Sequence, residues 1–323
     1  MSLLSVLIPM RNAEPYVAAA LDSVLSQRDV QLEVVVIDDG STDRSVQIVE
    51  QINDPRVRII RGPRKGIAAA FNAGLAAARG EILARCDADD LYPPDRLAWQ
   101  VKWLDEHADF GAVCGSYSTI TEKGALIAEQ HHDEPAEEIT GELRSGIGRS
   151  HMCAYAFRTS ILRQISGCRE WFVTSEDADL QYRLSEVTRV WYEPRPSYLY
   201  RLHAISITHT QRSAERAFYA AMAQKFQEQR RKSGSDDLEQ GKPPELKLLT
   251  SEESSPHHPR DHIQKLLLGR SWKEHAAGRK LRAMTTGLRA CFAKPRNLGA
   301  WRSLLALMLK RAGGVNNGRM RAS

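Results

Sequence analysis

The sequence lacks any long apolar run. No stretch approaches the roughly 18 uninterrupted apolar residues that a membrane-spanning helix needs. It is also poor in cysteine. The five present, Cys86, Cys114, Cys153, Cys168 and Cys291, are odd in number and scattered, with no Cys-x-x-Cys spacing. That argues against a disulfide framework or a zinc site and for reduced thiols in the cytosol. No basic region followed by a long apolar stretch opens the chain, and Pro9 interrupts residues 3–8, so no secretory signal is expected. No internal repeat is apparent. What remains is an ordinary globular composition, 42% hydrophobic and 26% charged over 323 residues, enough for one large domain or two smaller ones.

The net charge of +5 hides an asymmetry. Residues 1–213 carry 23 Lys/Arg against 30 Asp/Glu, a balance of −7, whereas residues 214–323 carry 22 against 10, a balance of +12. From Arg260 onward there are 15 Lys/Arg and only two acids. A basic tail of this kind calls for an anionic partner. With the apolar residues 304–309 beside Arg302, Lys310 and Arg311, it reads as a helix lying on an anionic membrane surface or as a basic helix packed on an acidic core.

Along the first hundred residues, apolar strands alternate with helical periodicity. Strands are predicted at 5–9 (ended by Pro9), 32–37, 57–60 and 81–85, with helices at 13–27, from the Ser41–Asp43 cap to 52, at 66–78 and from Pro93. This alternation predicts a parallel sheet covered by helices on both faces. Strands at 111–121 and 125–128 open a mixed or antiparallel part. A helix at 135–145, a strand at 154–157, helices from 159 and at 176–184, and strands at 190–192 and 197–202 follow. Residues 230–260, rich in Ser, Gly, Pro, Glu and Lys, read as a flexible linker. His257, His258 and His262 within and beside it fit no common metal spacing and read as a solvated polar loop. From Ile263 the pattern is helical.

Four polar clusters stand out. Pro9-Met-Arg-Asn12 is a turn after the first strand. Asp38-Asp39-Gly40-Ser-Thr-Asp43 follows the second; a carboxylate there can accept a hydrogen bond from a nucleobase N–H, and the glycine permits a close turn. Asp87-Ala-Asp89-Asp90 follows the fourth. Ser175-Glu176-Asp177, with Leu180 and Arg183, opens a helix. Each alone has a bland explanation: a helix cap, an Asp-Gly turn, a solvated acidic turn, or acids complementing a helix dipole. Three of them, however, lie just past the carboxyl ends of predicted strands, where open α/β sheets bind ligands. Three acids crowded at a buried strand end are tolerable if a cation sits among them, and carboxylates suit Mg²⁺ or Mn²⁺. A lone pair of residues near the last strand, Arg201 and His203, adds a cation and an imidazole.

In this order the clusters resemble those of the family-2 glycosyltransferases. The resemblance covers residues 5 to 208. Residues 5–12 look like the family's opening strand, and residues 34–43 resemble its second strand and Asp-Asp-Gly-Ser-x-Asp turn. Gly66-Ile-Ala-Ala-Ala-Phe-Asn72-Ala-Gly74 is similar to the segment lying along the nucleotide, and Asp87-Ala-Asp89-Asp90 to the Asp-x-Asp-Asp metal motif. Residues 150–158, including Ser150-His151-Met152, resemble the acceptor-side segment. Glu176-Asp177-x-x-Leu180-x-x-Arg183 resembles the catalytic-base helix, and Tyr200-Arg201-x-His203-x-x-Ser206 the segment that closes the domain. Ser166-Gly167-Cys168 departs from the family's common Gly-Gly-Tyr, and the tail after Arg212 has no clear counterpart.

The resemblance implies a GT-A fold: a Rossmann-like α/β mixed sheet flanked by helices, here with a helical basic C-terminal extension. The expected division is a catalytic domain at 1–212, a helix and linker at 213–262 and the extension at 263–323. It implies inverting transfer of a sugar from a nucleoside diphosphate sugar, UDP favoured, to a glycan or lipid-linked acceptor in cell-surface polysaccharide or glycan synthesis. Asp177 would be the general base, with Glu176 orienting it or the acceptor. Asp39 would hold the base, and Pro9, Asn12, Asp38, Arg64, Lys65, Asn72, Asp87 and Arg201 the rest of the donor. Asp89, Asp87 and His203 would hold Mn²⁺ or Mg²⁺, leaving Asp90 without a set task. No nucleic-acid partner is expected, and the location would be cytoplasmic, peripheral at the inner face of the membrane. Two rivals are weaker. A sugar nucleotidyltransferase needs a glycine-rich basic loop after the first strand, which Pro9-Met-Arg-Asn-Ala-Glu14 is not. A catalytically idle nucleotide-sugar-binding subunit would have lost the base or a metal acid, and both are present.

Overall fold

The structure is a computed structural model that describes residues 2–130, 133–203, 213–245 and 259–310. His257, His258, Ser206 and residues 246–258 of the expected linker lie outside these residues. The described residues form two compact units. One carries most of the sheet, and the other holds Thr119–Ala128 with the last three helices.

The first unit opens with the predicted alternation: β1 Leu4–Met10, α1 Val17–Leu25, β2 Leu32–Asp38, α2 Ser45–Ile52, β3 Val57–Arg61, α3 Ile67–Ala77, β4 Ile82–Arg85 and α4 Arg96–Glu106. There follow β5 Phe110–Thr121, β6 Leu126–Gln130, β7 Glu137–Glu138, α5 Thr140–Arg144, β8 Tyr155–Arg158, α6 Thr159–Gln164, α7 Glu176–Val187, β9 Arg189–Leu202 and α8 Ser213–Ser233. Among the described residues nine strands form one mixed sheet, ordered β3-β2-β1-β4-β8-β5-β9-β7, with β6 on β5. Strands β1 to β4 are parallel to one another, whereas β8 runs antiparallel between β4 and β5.

Strand alternation divides β1 between two cores. Leu4, Val6 and Ile8 point to the side covered by Val17 and Leu21 of α1 and by Leu97, Val101 and Leu104 of α4. Leu7 points to the other side, with Ala70, Phe71 and Leu75 of α3. Burial on both faces explains why β1 and β2 read as mostly apolar runs, broken only by Ser5 in β1 and by Glu33 and the terminal Asp38 in β2. Each fully buried Leu, Ile or Val side chain there contributes roughly 1.5–3 kcal/mol of transfer free energy.

Three expectations needed correction. Pro9 does not end β1 but lies inside it, paired with Ile37. Alternation turns its missing N–H toward β4, whose pairing with β1 stops at Leu7 and Arg85, so no ladder bond is lost. The expected helix at 135–145 begins as β7, which pairs Glu137 and Glu138 with Tyr192 and Trp191, and only then becomes α5. The two strands expected at 190–202 are one, β9. Ile139 N–H donates to the carbonyl of Val190, so by alternation Pro194 and Pro196 face that same edge, past the end of β7.

Residues 230–241 are also not linker-like. Arg230–Ser233 complete α8, and Asp236 is fully buried in ion pairs with Arg169 and Arg230. Arg169 also pairs with Asp179 of α7. The C-terminal part of the second unit is helical, as expected: α9 Pro259–Ala276, α10 Lys280–Ala293 and α11 Leu298–Leu309. All five cysteines are unpaired and buried. No helix among the described residues is long and apolar enough to cross a membrane.

Breaking a buried ion pair strands its partner, at a cost of about 3–5 kcal/mol. Asp236→Ala should therefore lower the denaturation midpoint markedly in chemical unfolding. A midpoint within error of the parent would mean that this segment is not docked as described.

Candidate active site

The carboxyl ends of β1, β2 and β4 meet in a laced set of turns. Asn12 takes a left-handed φ of 51°. Its N–H donates to Ser41 Oγ (3.1 Å), and its Oδ1 accepts from the N–H of Thr42 (2.8 Å). The N–H of Ala13 donates to Ser45 Oγ (2.8 Å), and that of Glu14 to Asp43 Oδ2 (3.1 Å). Asp38 closes its own turn by accepting from the N–H of Ser41 (2.9 Å), and Gly40 takes the φ of +93° that such an Asp-Gly turn requires. The first two clusters are thus one construction.

Asp39 is 5% exposed and binds the next loop. Its Oδ1 accepts from the N–H of Arg64 (2.6 Å) and its Oδ2 from that of Gly66 (3.0 Å). A Cβ on Gly62 would stand 2.8 Å from Asp39 Oδ1, so the loop approaches this closely only with glycine there. Arg64 and Lys65 are carried exposed on the loop. A carboxylate oxygen has a second lone pair, so Asp39 keeps acceptor capacity for a base. Asn72 is engaged elsewhere. Its side-chain amide donates to the carbonyl of Cys168 (2.8 Å) and accepts from the N–H of Cys168 (2.9 Å). It pins the loop where the sequence departs from the family pattern, and both ends of its amide are used. Pro9 is buried within β1.

The third cluster divides by environment. Asp90 is 1% exposed. It accepts from the hydroxyl of Tyr198 (2.6 Å) and the N–H of Arg201 (2.6 Å), fastening the turn to β9. Burial, together with Asp89 and Asp87, raises its carboxyl well above the usual range. Asp90 is a structural member of the motif. Asp87 and Asp89 are only half-buried. The N–H of Asp87 donates to Tyr198 Oη (3.1 Å), and the carbonyl of Asp89 accepts from Arg201 Nε (2.6 Å).

Sequence reasoning missed Arg85. It ends β4, is 5% exposed, and reaches two clusters: Nε donates to Asp87 Oδ1 (2.6 Å), and Nη1 to Glu176 Oε1 (3.2 Å). Burial works against its charge, but Asp87 and Glu176 outweigh that and hold it firmly protonated. The signal was present: a lone cation closing an apolar strand needs acid partners. Arg85 is one cation among the acids. Glu176 and Asp177 begin α7, with Glu176 buried and Asp177 half-buried. Burial first, then Asp177, pushes the Glu176 carboxyl up to about 7, against the pull of Arg85. Arg183, in the same motif, holds the carbonyls of Ile165 and Gly167 (both 2.6 Å) and pairs with Asp179; its task is structural.

His151 was quoted in sequence but given no role. Its ring stacks on Tyr198 (5.2 Å) and Tyr200 (5.5 Å), and its Nδ1 accepts from the N–H of Cys153 (3.2 Å), which leaves the proton on Nε2. Burial lowers its basicity, although Asp177 and Asp87 both oppose this. A neutral imidazole thus stands within the field of both carboxylates.

Among the described residues, no three His, Cys, Asp or Glu side chains come together as a ligand set, so the trio Asp87, Asp89 and His203 is not assembled. His203, one residue past β9, is grouped with the second unit. Two half-buried carboxylates nevertheless fit Mg²⁺ or Mn²⁺, which takes one or two protein carboxylates and leaves its other positions to water and phosphate.

The mostly parallel sheet and its flanking helices are those of a GT-A fold. Residues 5–166 match the sequence model of Glycosyl transferase family 2, and the chain belongs to that family. It is 30% identical over 208 residues to the chondroitin synthase of Pasteurella multocida (strain Pm70), covering 62% of this chain and 21% of that protein. It is likewise 30% identical to the hyaluronan synthase of Pasteurella multocida, covering 62% and 20%. The match therefore spans about a fifth of the length of these relatives. Among solved structures, S. aureus TarS 1-349 in complex with UDP-GlcNAc superposes with a TM-score of 0.57 at 18% identity, covering 93% of this chain and 90% of that one. The mannosyltransferase PcManGT from Pyrobaculum calidifontis, in complex with GDP-Man and Mn²⁺, gives 0.53 at 22%, covering 96% and 86%. At these identities the likeness is one of fold.

The raised Glu176 ionisation carries a sign. An acid whose folded pKa lies above its ordinary value of 4.5 stabilises the fold fully below that value. The contribution is lost as pH rises to about 7. The stability of the parent relative to Glu176→Gln should therefore fall by about 3 kcal/mol over that range and level off above it. Urea titrations of both proteins across the range check this; a flat difference would show that Glu176 titrates as an ordinary carboxylate.

Proposed function

We propose that the chain transfers a sugar from a nucleoside diphosphate sugar, UDP-sugar favoured, to a hydroxyl of a glycan or lipid-linked acceptor, by one inverting displacement. The observation that carries this reading is the Arg85 bridge. It ties a carboxylate suited to the donor side, Asp87, to the pair Glu176–Asp177 suited to the acceptor side. The likeness to the two synthases favours a role in polysaccharide synthesis, and the TarS complex favours UDP.

The chain's own groups divide the work. Asp39 accepts from the base, and Asp38 and Asn12 hold the turn it stands on. Lys65, Arg64 and Arg201 supply positive charge for the diphosphate. Asp87 and Asp89 would hold Mg²⁺ or Mn²⁺. When bound, the ion offsets the charge that grows on the departing diphosphate. Asp177 accepts the proton of the acceptor hydroxyl as its oxygen bonds to the anomeric carbon. The bond from that carbon to the diphosphate oxygen breaks, and the nucleoside diphosphate leaves with the electron pair. Glu176, held by Arg85, orients Asp177 or the acceptor. One base opposite the leaving group gives inversion.

With Mn²⁺ or Mg²⁺, one member of a panel of UDP-, GDP- and dTDP-sugars should raise the melting temperature by on the order of 5 °C at saturating concentration. Stabilisation by none of them would contradict the donor assignment. Once a donor and acceptor are in hand, Asp177→Asn should cut transfer by about 10²–10⁴-fold while the donor-induced melting shift persists. Near-normal transfer would remove Asp177 as the base. Asp89→Ala should abolish the metal dependence of donor binding.

A further inference from the structure

Helices α10 and α11 pack on each other within the second unit. Cys291, Ala300 and Leu304 form the seam, with Leu304 against Gly287. Their outer sides are unlike the surface of an ordinary helix pair. On α10, Leu281, Leu288 and Phe292 recur at i, i+7 and i+11, which is one face, and Leu281 and Phe292 are 81% and 66% exposed. On α11, Trp301, Leu305 and Met308 recur at i, i+4 and i+7 and are 37%, 56% and 47% exposed. The Phe292 and Trp301 rings meet edge to face at 6.2 Å, so the two faces join. Single exposed leucines need no explanation, but a joined apolar surface marks an interaction site.

The two helices themselves carry charge of one sign, although Lys294 pairs with Asp261 of α9. Residues 280–310 contain seven Lys/Arg and no Asp or Glu. Arg302 stands on α11 between Trp301 and Leu305, Arg296 in the turn joining the helices, and Lys310 at the end of α11, all exposed. A second copy seated here would set seven cations against seven, which like-charge repulsion opposes. A nucleic acid would meet the cations but leave the rings and leucines in water. Neither helix is long enough to span a bilayer: α11 has 12 residues and α10 has 14. Lipid phosphates above an acyl layer answer both the charge and the apolar surface.

We propose that the outer face of α10 and α11 docks on an anionic lipid bilayer, with Phe292, Trp301 and Leu305 at the headgroup–acyl boundary and Arg296, Arg302 and Lys310 on lipid phosphates. This surface is independent of the proposed transfer reaction and needs no donor or acceptor.

The full chain can be tested by sedimentation with vesicles of phosphatidylcholine alone and of phosphatidylcholine with phosphatidylglycerol. Binding should be at least about tenfold tighter to the anionic vesicles and should weaken with salt. Phe292→Asp with Leu305→Asp should reduce binding by about tenfold or more, because two apolar side chains lose their burial. Arg296→Glu with Arg302→Glu, at exposed polar positions that keep the fold, should remove the preference for anionic lipid. Equal binding to both vesicle types, or unchanged binding by either variant with a parent-like melting temperature, would overturn the proposal. So would a parent dimer in light scattering that Phe292→Asp with Leu305→Asp converts to monomer, since the face would then be a contact between copies.

Discussion

The structure turns on one buried cation. Arg85 stands at the end of β4 with its guanidinium between Asp87 and Glu176, and all three sit where water is largely excluded. Without it, acids on the β4 turn and at the start of α7 would face a low-dielectric interior with less to offset them. With it, two segments some ninety residues apart are held in a fixed relation. The cost of burying a guanidinium is met only because both partners are charged or hydrogen-bonded to it. The arrangement is strained electrostatically, and Glu176 registers the strain as a carboxyl pushed up to about 7.

Around this centre the chain uses backbone groups to fix side chains. Asp39 is bound by the N–H groups of Arg64 and Gly66, the Asn12 side chain by the N–H of Thr42, and Asp90 by the N–H of Arg201 together with the Tyr198 hydroxyl. Acidic residues in these turns thus do two kinds of work. Some hold loops in place, and Asp87, Asp89 and Asp177, which are only half-buried, are the ones proposed above for ligand and proton. The adjacent acids Asp89 and Asp90 separate along this line.

Much of this was legible in the chain. The α/β alternation to residue 106 came through because β1 and β2 are buried on both faces and the helices between them carry clear apolar stripes. The convergence of Asn12, Asp38–Asp39 and Asp87–Asp90 followed from their place after parallel strands. What stayed hidden depends on contacts distant in sequence. The pairing of Glu137 and Glu138 with β9 overrode their helical neighbours, and Pro194 and Pro196 read as breaks because the open edge they face is invisible from sequence. Asn72 looked like a donor ligand, yet its amide is spent on Cys168. Asp236 looked like linker until Arg169 and Arg230 were seen to enclose it. The role of Arg85 was hidden because its partner Glu176 lies 91 residues away in the chain.

The central claim is that the turn after β4 is the donor diphosphate site and that the start of α7 faces it as the base. Anomalous diffraction from crystals grown with Mn²⁺ and a stabilising nucleotide sugar tests it most directly. The expected map has a manganese peak beside Asp87 and Asp89, diphosphate oxygens on the same ion, and the Asp177 carboxylate on the side of the anomeric carbon opposite the diphosphate. A nucleotide bound away from the Asp87–Asp90 turn, or a sugar turned away from Asp177, would contradict it.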